Sequence, residues 1–247
     1  MTRQLRSQAL RLSVLLAALA AVARADMSDL VFRIQASNAS GAGAYEVYSS
    51  SGAYDTGTST YTWNLSSPLT IQDTTSGAPV ATLRSATVVV RGQTQIDINL
   101  GVDSGSSLTT FLIDGPTLDV NMPAEVSEGR ASASFSVTDL DQNFARLVGL
   151  GTSGTGAYQA FYNGSTRFTH LVAFVFAGTG ATGTGSQSDP PTGYRDIPVT
   201  VDQYRAQIGF TLTGFDRAST TTTFGVIPEP TTLGLLALAV LGLLRRR

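Results

Sequence analysis

Between its two ends the chain repeats one pattern: short apolar runs of period two, broken by clusters of Gly, Ser, Thr, Asn and Asp. Leu30, Phe32, Ile34 and Ala36 fall on one face of an extended segment, with Arg33 and Gln35 on the other. Ile96, Ile98, Leu100 and Val102 alternate with Gln95, Asp97 and Asn99 in the same way, and Ala206, Ile208, Phe210 and Leu212 alternate with Gln207, Gly209 and Thr211. Successive strand side chains point to opposite faces, so this pattern specifies half-buried antiparallel strands. Thr87 to Val90 and His170 to Phe176 are apolar on both faces and read as central strands. Further strands are expected near 44–49, 59–65, 80–91, 107–113, 116–122, 131–138 and 219–226. Ala157, Ala160 and Phe161 could share a face of one short helix near 156–163.

So many short strands separated by turn residues predict an all-β antiparallel β-sandwich, with a jelly roll as one possible form. No internal repeat is visible, which disfavours a solenoid or propeller. The Gly-rich loops Gly149–Gly156 and Gly178–Gly193, the second containing Asp189-Pro190-Pro191, are expected to be mobile. Three segments follow: 1–25 as a leader, 26–226 as the sandwich, and 227–247 as a tail.

Composition excludes several function classes. The chain has no cysteine, so an exported form gains nothing from disulfides and needs a sizeable core, which about 200 residues can supply. It has no lysine, hence no P-loop and no Schiff-base nucleophile. Residues 26–226 carry nine arginines against seventeen carboxylates, a net charge of −8. Nucleic-acid binding relies on clustered positive charge, so no nucleic-acid partner is expected.

The ends carry the clearest signals. Arg3, Arg6 and Arg11 precede an apolar stretch from Leu12 to Val22, followed by Ala23-Arg24-Ala25. A basic region, a short apolar core and an A-x-A site make a secretory signal peptide, cleaved after Ala25 to leave Asp26 first. No adjacent arginine pair precedes the core, so the Sec translocon and signal peptidase are the expected partners. At the other end, Ile227-Pro228-Glu229-Pro230 leads into an apolar run from Thr231 to Leu244, closed by Arg245-Arg246-Arg247. As a helix that run spans about 21 Å at about 1.5 Å per residue, short of a hydrocarbon core about 30 Å thick. Val226 and Ile227 extend it, and the three arginines can snorkel to the far interface. Their charge keeps the C-terminus cytoplasmic and everything before Pro228 outside. Pro228 and Pro230 stiffen the outer edge, and Glu229 sits near the positive end of the helix dipole. The result is an extended handle that a processing enzyme could grip.

Pro228-Glu229-Pro230, Thr231, the Leu/Gly/Ala helix and the terminal arginines together closely resemble the PEP-CTERM sorting signal of Gram-negative bacteria that make exopolysaccharide. The resemblance implies an exosortase partner, a multipass membrane cysteine transpeptidase acting near Pro228-Glu229-Pro230. It also implies an inner-membrane-tethered precursor and a destination at the cell surface or in the extracellular matrix. Ala86-Thr87-Val88-Val89-Val90, followed by Gly101-Val102-Asp103-Ser104-Gly105, resembles uncharacterised cargo domains that bear the same tag; that implies a shared β fold and no transferable activity.

Within the sandwich, candidate chemistry is sparse. His170 is the single histidine; Phe168, Val172, Phe174 and Phe176 are expected to share its strand face, which suits a core or rim imidazole better than a catalytic base. One histidine and no cysteine argue against zinc. Gly149, Gly151 and Gly154, and again Gly178, Gly180 and Gly183, match G-x-G-x-x-G, but neither leads into the long helix a dinucleotide site requires. Asp139-x-Asp141-x-Asn143 opens like an EF-hand, yet Phe144 replaces the required Gly and Leu150 the closing Glu; a looser calcium site or a solvated turn remains. Asp97, Asp119, Glu125 and Glu128 could pair for glycoside hydrolysis only if the fold brings two together. Tyr45, Tyr48, Tyr54, Tyr61 and Trp63 could stack on sugars or fill the core, and the core reading suits Trp63 better. Asn38, Asn64 and Asn163 open N-x-S sequons that Ser-rich sequence produces by chance, and Ser219–Thr223 reads as a terminal strand rather than a glycosylated stalk.

The expected function is therefore that of a non-enzymatic envelope or matrix protein, with no cofactor, sorted by an exosortase and deposited with exopolysaccharide. Two other readings stand beside it: a secreted carbohydrate-binding module, which requires exposed coplanar aromatics beside a groove, and a secreted glycoside hydrolase or other hydrolase, which requires catalytic groups converging in a pocket.

Overall fold

In the computed structural model, residues 26–92, 94–120, 127–151 and 156–228 are described. Their strands are β1 (Asp26–Met27), β2 (Leu30–Asn38), β3 (Gly41–Tyr48), β4 (Ala53–Asp55), β5 (Thr60–Asn64) and β6 (Leu69–Gln72). Next come β7 (Pro79–Arg91), β8 (Gln95–Ser104), β9 (Thr109–Asp119), β10 (Ser127–Thr138), β11 (Ala145–Gly149) and β12 (Tyr158–Tyr162). The last six are β13 (Thr166–Leu171), β14 (Phe174–Ala177), β15 (Thr182–Asp189), β16 (Arg195–Ile197), β17 (Gln203–Leu212) and β18 (Arg217–Pro228).

They form two antiparallel sheets. The first runs β13-β12-β17-β9-β2-β3, with β1 beside β9 and β11 joining β17 to β14. The second runs β15-β10-β18-β8-β7-β5-β4, with β16 on β10 and β6 on β7. The expected all-β sandwich is what the sequence folds into. The three alternating runs become β2, β8 and β17, with their apolar sets buried except for Leu30 at the start of β2, which is half-buried. Aromatic pairs stitch one sheet to the other. Phe32 stacks on Trp63 at 5.3 Å, Phe135 meets Phe210 edge-on at 6.1 Å, and Phe224 lies 5.4 Å from both Phe168 and Tyr204.

Four expectations change. The stretch near 156–163 is strand β12, paired with β13 and β17, rather than helix; alternation of buried Tyr158 and Ala160 with Gln159 and Phe161 outweighs the weak helical spacing. The segments 107–113 and 116–122 begin as one strand, β9, which Gly115 and Pro116 do not interrupt; the paired ladder shifts register at Arg205/Gln207 to absorb them. His170–Phe176 is two strands, because Val172 adopts a positive φ of 55° and breaks the run. Finally, much of Gly178–Gly193 is β15, fully paired with β10 from Thr138↔Thr182 to Ala131↔Asp189. Gly183 lies so close to the Phe176 carbonyl that no larger residue fits, so that glycine serves packing rather than looseness.

Candidate functional site

Strand β18 sits in the middle of the second sheet, between β10 and β8. It pairs with β10 from Thr138↔Arg217 to Ser127↔Pro228, and the Val226 N–H donates to the Thr94 carbonyl at 2.8 Å. The Thr-rich segment is a strand, as expected. Thr220 and Thr222 turn inward and donate to the carbonyls of Ser134 and Ile98, which makes buried hydroxyls tolerable. Ordered structure therefore extends to the first proline of the Pro-Glu-Pro handle, with no intervening linker. Glu229, Pro230 and Arg245–Arg247 lie outside the described residues, as do the leader residues Ala23 and Ala25.

Three carboxylates converge where the Asp139 loop meets the turn before β18. Asp139, Asp141 and Asp216 each place an oxygen within 4.8 Å of the others. Sequence reading reached the first two; Asp216 lies far along the chain and only the fold delivers it. Asp139 accepts the N–H groups of Asp141, Gln142 and Asn143 on one oxygen and Gly180 on the other. Burial pushes the Asp139 carboxyl up, but backbone donors from Gly180, Phe144 and Asn143 outweigh it and hold the group at about 2. Burial raises the Asp216 carboxyl, opposed by the Thr213 hydroxyl and the Leu140 N–H. With both buried carboxylates bonded to the chain itself, the cluster is a clasp that joins the loop, the β14–β15 turn and the start of β18.

That clasp presents an aromatic ledge. Phe144, at φ 102°, is 45% exposed, and Phe174 and Phe176 are 50% and 52% exposed. Phe174 and Phe176 lie 6.4 Å apart with planes 12° apart, Phe144 sits 6.1 Å from Phe176, and the Arg146 guanidinium covers Phe174 at 5.3 Å. Phe174 and Phe176 were expected on a central strand. Strand β14 alternates exposed Phe174 and Phe176 with buried Val175 and Ala177, so one of its faces points to solvent. His170 is also exposed and does not share the buried face of Phe168. The register shift at Ala160/Phe161 leaves Phe168 unpaired in a bulge, which turns the following residues over.

The other sequence candidates separate. Trp63 and Tyr61 are buried, as expected of core residues, while Tyr48 and Tyr54 are exposed. Asp97 lies on the second sheet, held by Arg91 at 3.0 Å and by Gln95. Asp119 lies in the first sheet opposite Asp26 and Gln203; Glu128 is the second residue of β10, in the second sheet, and Glu125 is outside the described residues. The second glycine motif is the turn by which the chain crosses from β14 in the first sheet to β15 in the second, with Gly180 at φ 65°.

The outer face of the second sheet is different from all of these. Register places Ser186, Ser134, Thr221, Asn99, Thr87 and Asn64 in one row across six strands. Two adjoining hollows open on that face, of about 670 and 280 Å³, and both include Ser134 and Thr221.

Residues 226–247 match the PEP-CTERM protein-sorting motif. No curated protein matches the chain. Among solved structures, the chain is similar to TmCBM61 in complex with beta-1,4-galactotriose, at 12% identity over 54% of this chain and 71% of that one, with a TM-score of 0.24. It is also similar to an isomalto-dextranase of Arthrobacter globiformis T6 complexed with panose, at 6% identity over 82% and 32% of the two chains, TM-score 0.24. A cyclase from Fischerella sp. TAU matches at 7% identity over 72% and 81%, TM-score 0.18. Likeness this slight settles neither fold nor ligand.

Proposed function

We propose that this chain is exported cargo: a β-sandwich carried through the Sec translocon, cut after Ala25 by signal peptidase, and tethered in the inner membrane by its tail. An exosortase then acts at Pro228-Glu229-Pro230 and delivers the sandwich to the cell surface or the exopolysaccharide matrix of a Gram-negative bacterium. The observation that carries this reading is the sorting motif at 226–247, joined without a spacer to the central strand β18. A tag fused to the framework of the domain suits a protein whose folded body is what is delivered.

The role is structural rather than enzymatic in this reading. It is supported by what the described residues bring together: the converging carboxylates bond to their own loop, and neither hollow is lined by a carboxylate or by His170. Replacing Pro228, Glu229 and Pro230 together with alanine tests the routing. The expected result is full-length protein accumulating in the inner-membrane fraction; processing at the wild-type rate would contradict exosortase handling.

A further inference from the structure

We propose that the hydroxyl-lined trough on the outer face of the second sheet binds a neutral polysaccharide laid across the strands. This rests on the matrix reading above and names the chemistry of the partner. The two hollows share Ser134 and Thr221 and so form one trough, from Ser186 on β15, over β10 and β18, to Asn99 on β8 and Ser85 on β7. Five strands at a spacing of about 4.8 Å make it about 19 Å long, enough for several consecutive sugar rings. Ser134, Ser186, Ser219 and Thr221 are exposed along it.

The trough has the wrong chemistry for most other partners. No aromatic side chain lines it, and its apolar lining is confined to Ala133, Leu171, Pro191 and Leu100, so the aromatic and arginine anchors of a protein interface are missing. Its charges lie at the rims and are matched there. On one side Arg217 donates twice to Asp103, at 2.7 and 3.1 Å, with Arg84 at 3.6 Å from the same carboxylate. On the other, Arg91, Gln95 and Thr223 all engage Asp97. Arg130, on the same face of β10, gives its guanidinium to the Pro191 carbonyl at 3.4 Å, and among the described residues neither hollow is lined by a cation for an acidic polymer to meet. What remains is a strip of small hydroxyls and the two amides of Gln187 and Asn99, each able to donate and accept, which matches the hydroxyls of a neutral glycan. Single hydrogen bonds of this kind are weak, about 0.5–1.5 kcal/mol net, but a repeating polymer offers many equivalent registers and many protein copies, so retention builds through multivalency.

Affinity electrophoresis of the full-length protein in detergent micelles tests this, with dextran, galactan or hydroxyethylcellulose set in the gel as neutral probes and polygalacturonate as the acidic one. Retardation is expected with at least one neutral polysaccharide and not with polygalacturonate. Pairing S134A with T221V, both on the exposed face, is expected to weaken that retardation about tenfold, while F174A with F176A leaves it unchanged. Three results would each overturn the proposal: no retardation by any neutral probe, equal or stronger retardation by polygalacturonate, or loss of binding in the phenylalanine pair but not the hydroxyl pair. Inner-membrane retention and processing of the same variants, followed in cells, separate this outcome from failure of the sorting reading, because routing does not depend on the trough.

Discussion

At the residue scale the molecule separates side chains that hold the fold from those that face outward. Phe135 and Phe224 are at most 1% exposed and bridge the sheets. Phe135→Ala is expected to cost about 3–5 kcal/mol, the range for truncating a buried aromatic, whereas Phe174→Ala on the ledge is expected to stay within about 0.5 kcal/mol; urea unfolding of the two variants measures both. Asp73 and Asp139 make the pH behaviour predictable. Asp73 accepts the N–H groups of Ala42, Thr75 and Ser76 and the Ser76 hydroxyl, and sits at about 2. Both carboxyls lie below their unfolded value, so their stabilising contribution is complete above about pH 4 and is lost as pH falls towards about 2. Asp216, raised by burial, works in the opposite sense: its contribution is present at low pH and lost as pH rises through its folded value. Urea midpoints between pH 5 and pH 2 should fall with acid, and the fall should be shallower in Asp73→Asn.

At the element scale, β18 decides whether the sandwich forms. It bonds to β10 along its whole length and to β8 from Arg217 to Gly225, so the second sheet cannot close without it. A chain ending after Asp216 is expected to show no cooperative unfolding transition, while one ending after Pro228 unfolds in a single step; circular dichroism during urea titration distinguishes them. Thr221→Pro should be nearly as damaging, since proline removes a ladder donor in a central strand. The elements most legible in the sequence were those buried on one face only, such as β2, β8 and β17, because alternation states both the strand and its inward side. Strands whose sides are set by pairing were harder to read. Ala157, Ala160 and Phe161 look helical until β12 lies between β13 and β17. Thr182, Thr184 and Ser186 look like loop until β10 supplies their partners.

At the scale of the whole molecule, the tag could be read directly because it is a local motif, while the candidate trough could not. Its row joins Ser186, Ser134, Thr221 and Asn99, which are adjacent only through the register of four strands. Asp216 was missed beside Asp139 for the same reason. The sandwich has its last central strand fused to the processing motif, so a cut upstream of Pro228 would sever a paired strand from its sheet. Release should therefore occur beyond Pro228 and leave the fold intact. The most direct test is mass spectrometry of both termini of the protein recovered from the cell surface or matrix. The expected product begins at Asp26 and ends near residue 230. A surface form that retains Arg247, or an uncut chain found in the cytosol, would contradict the account.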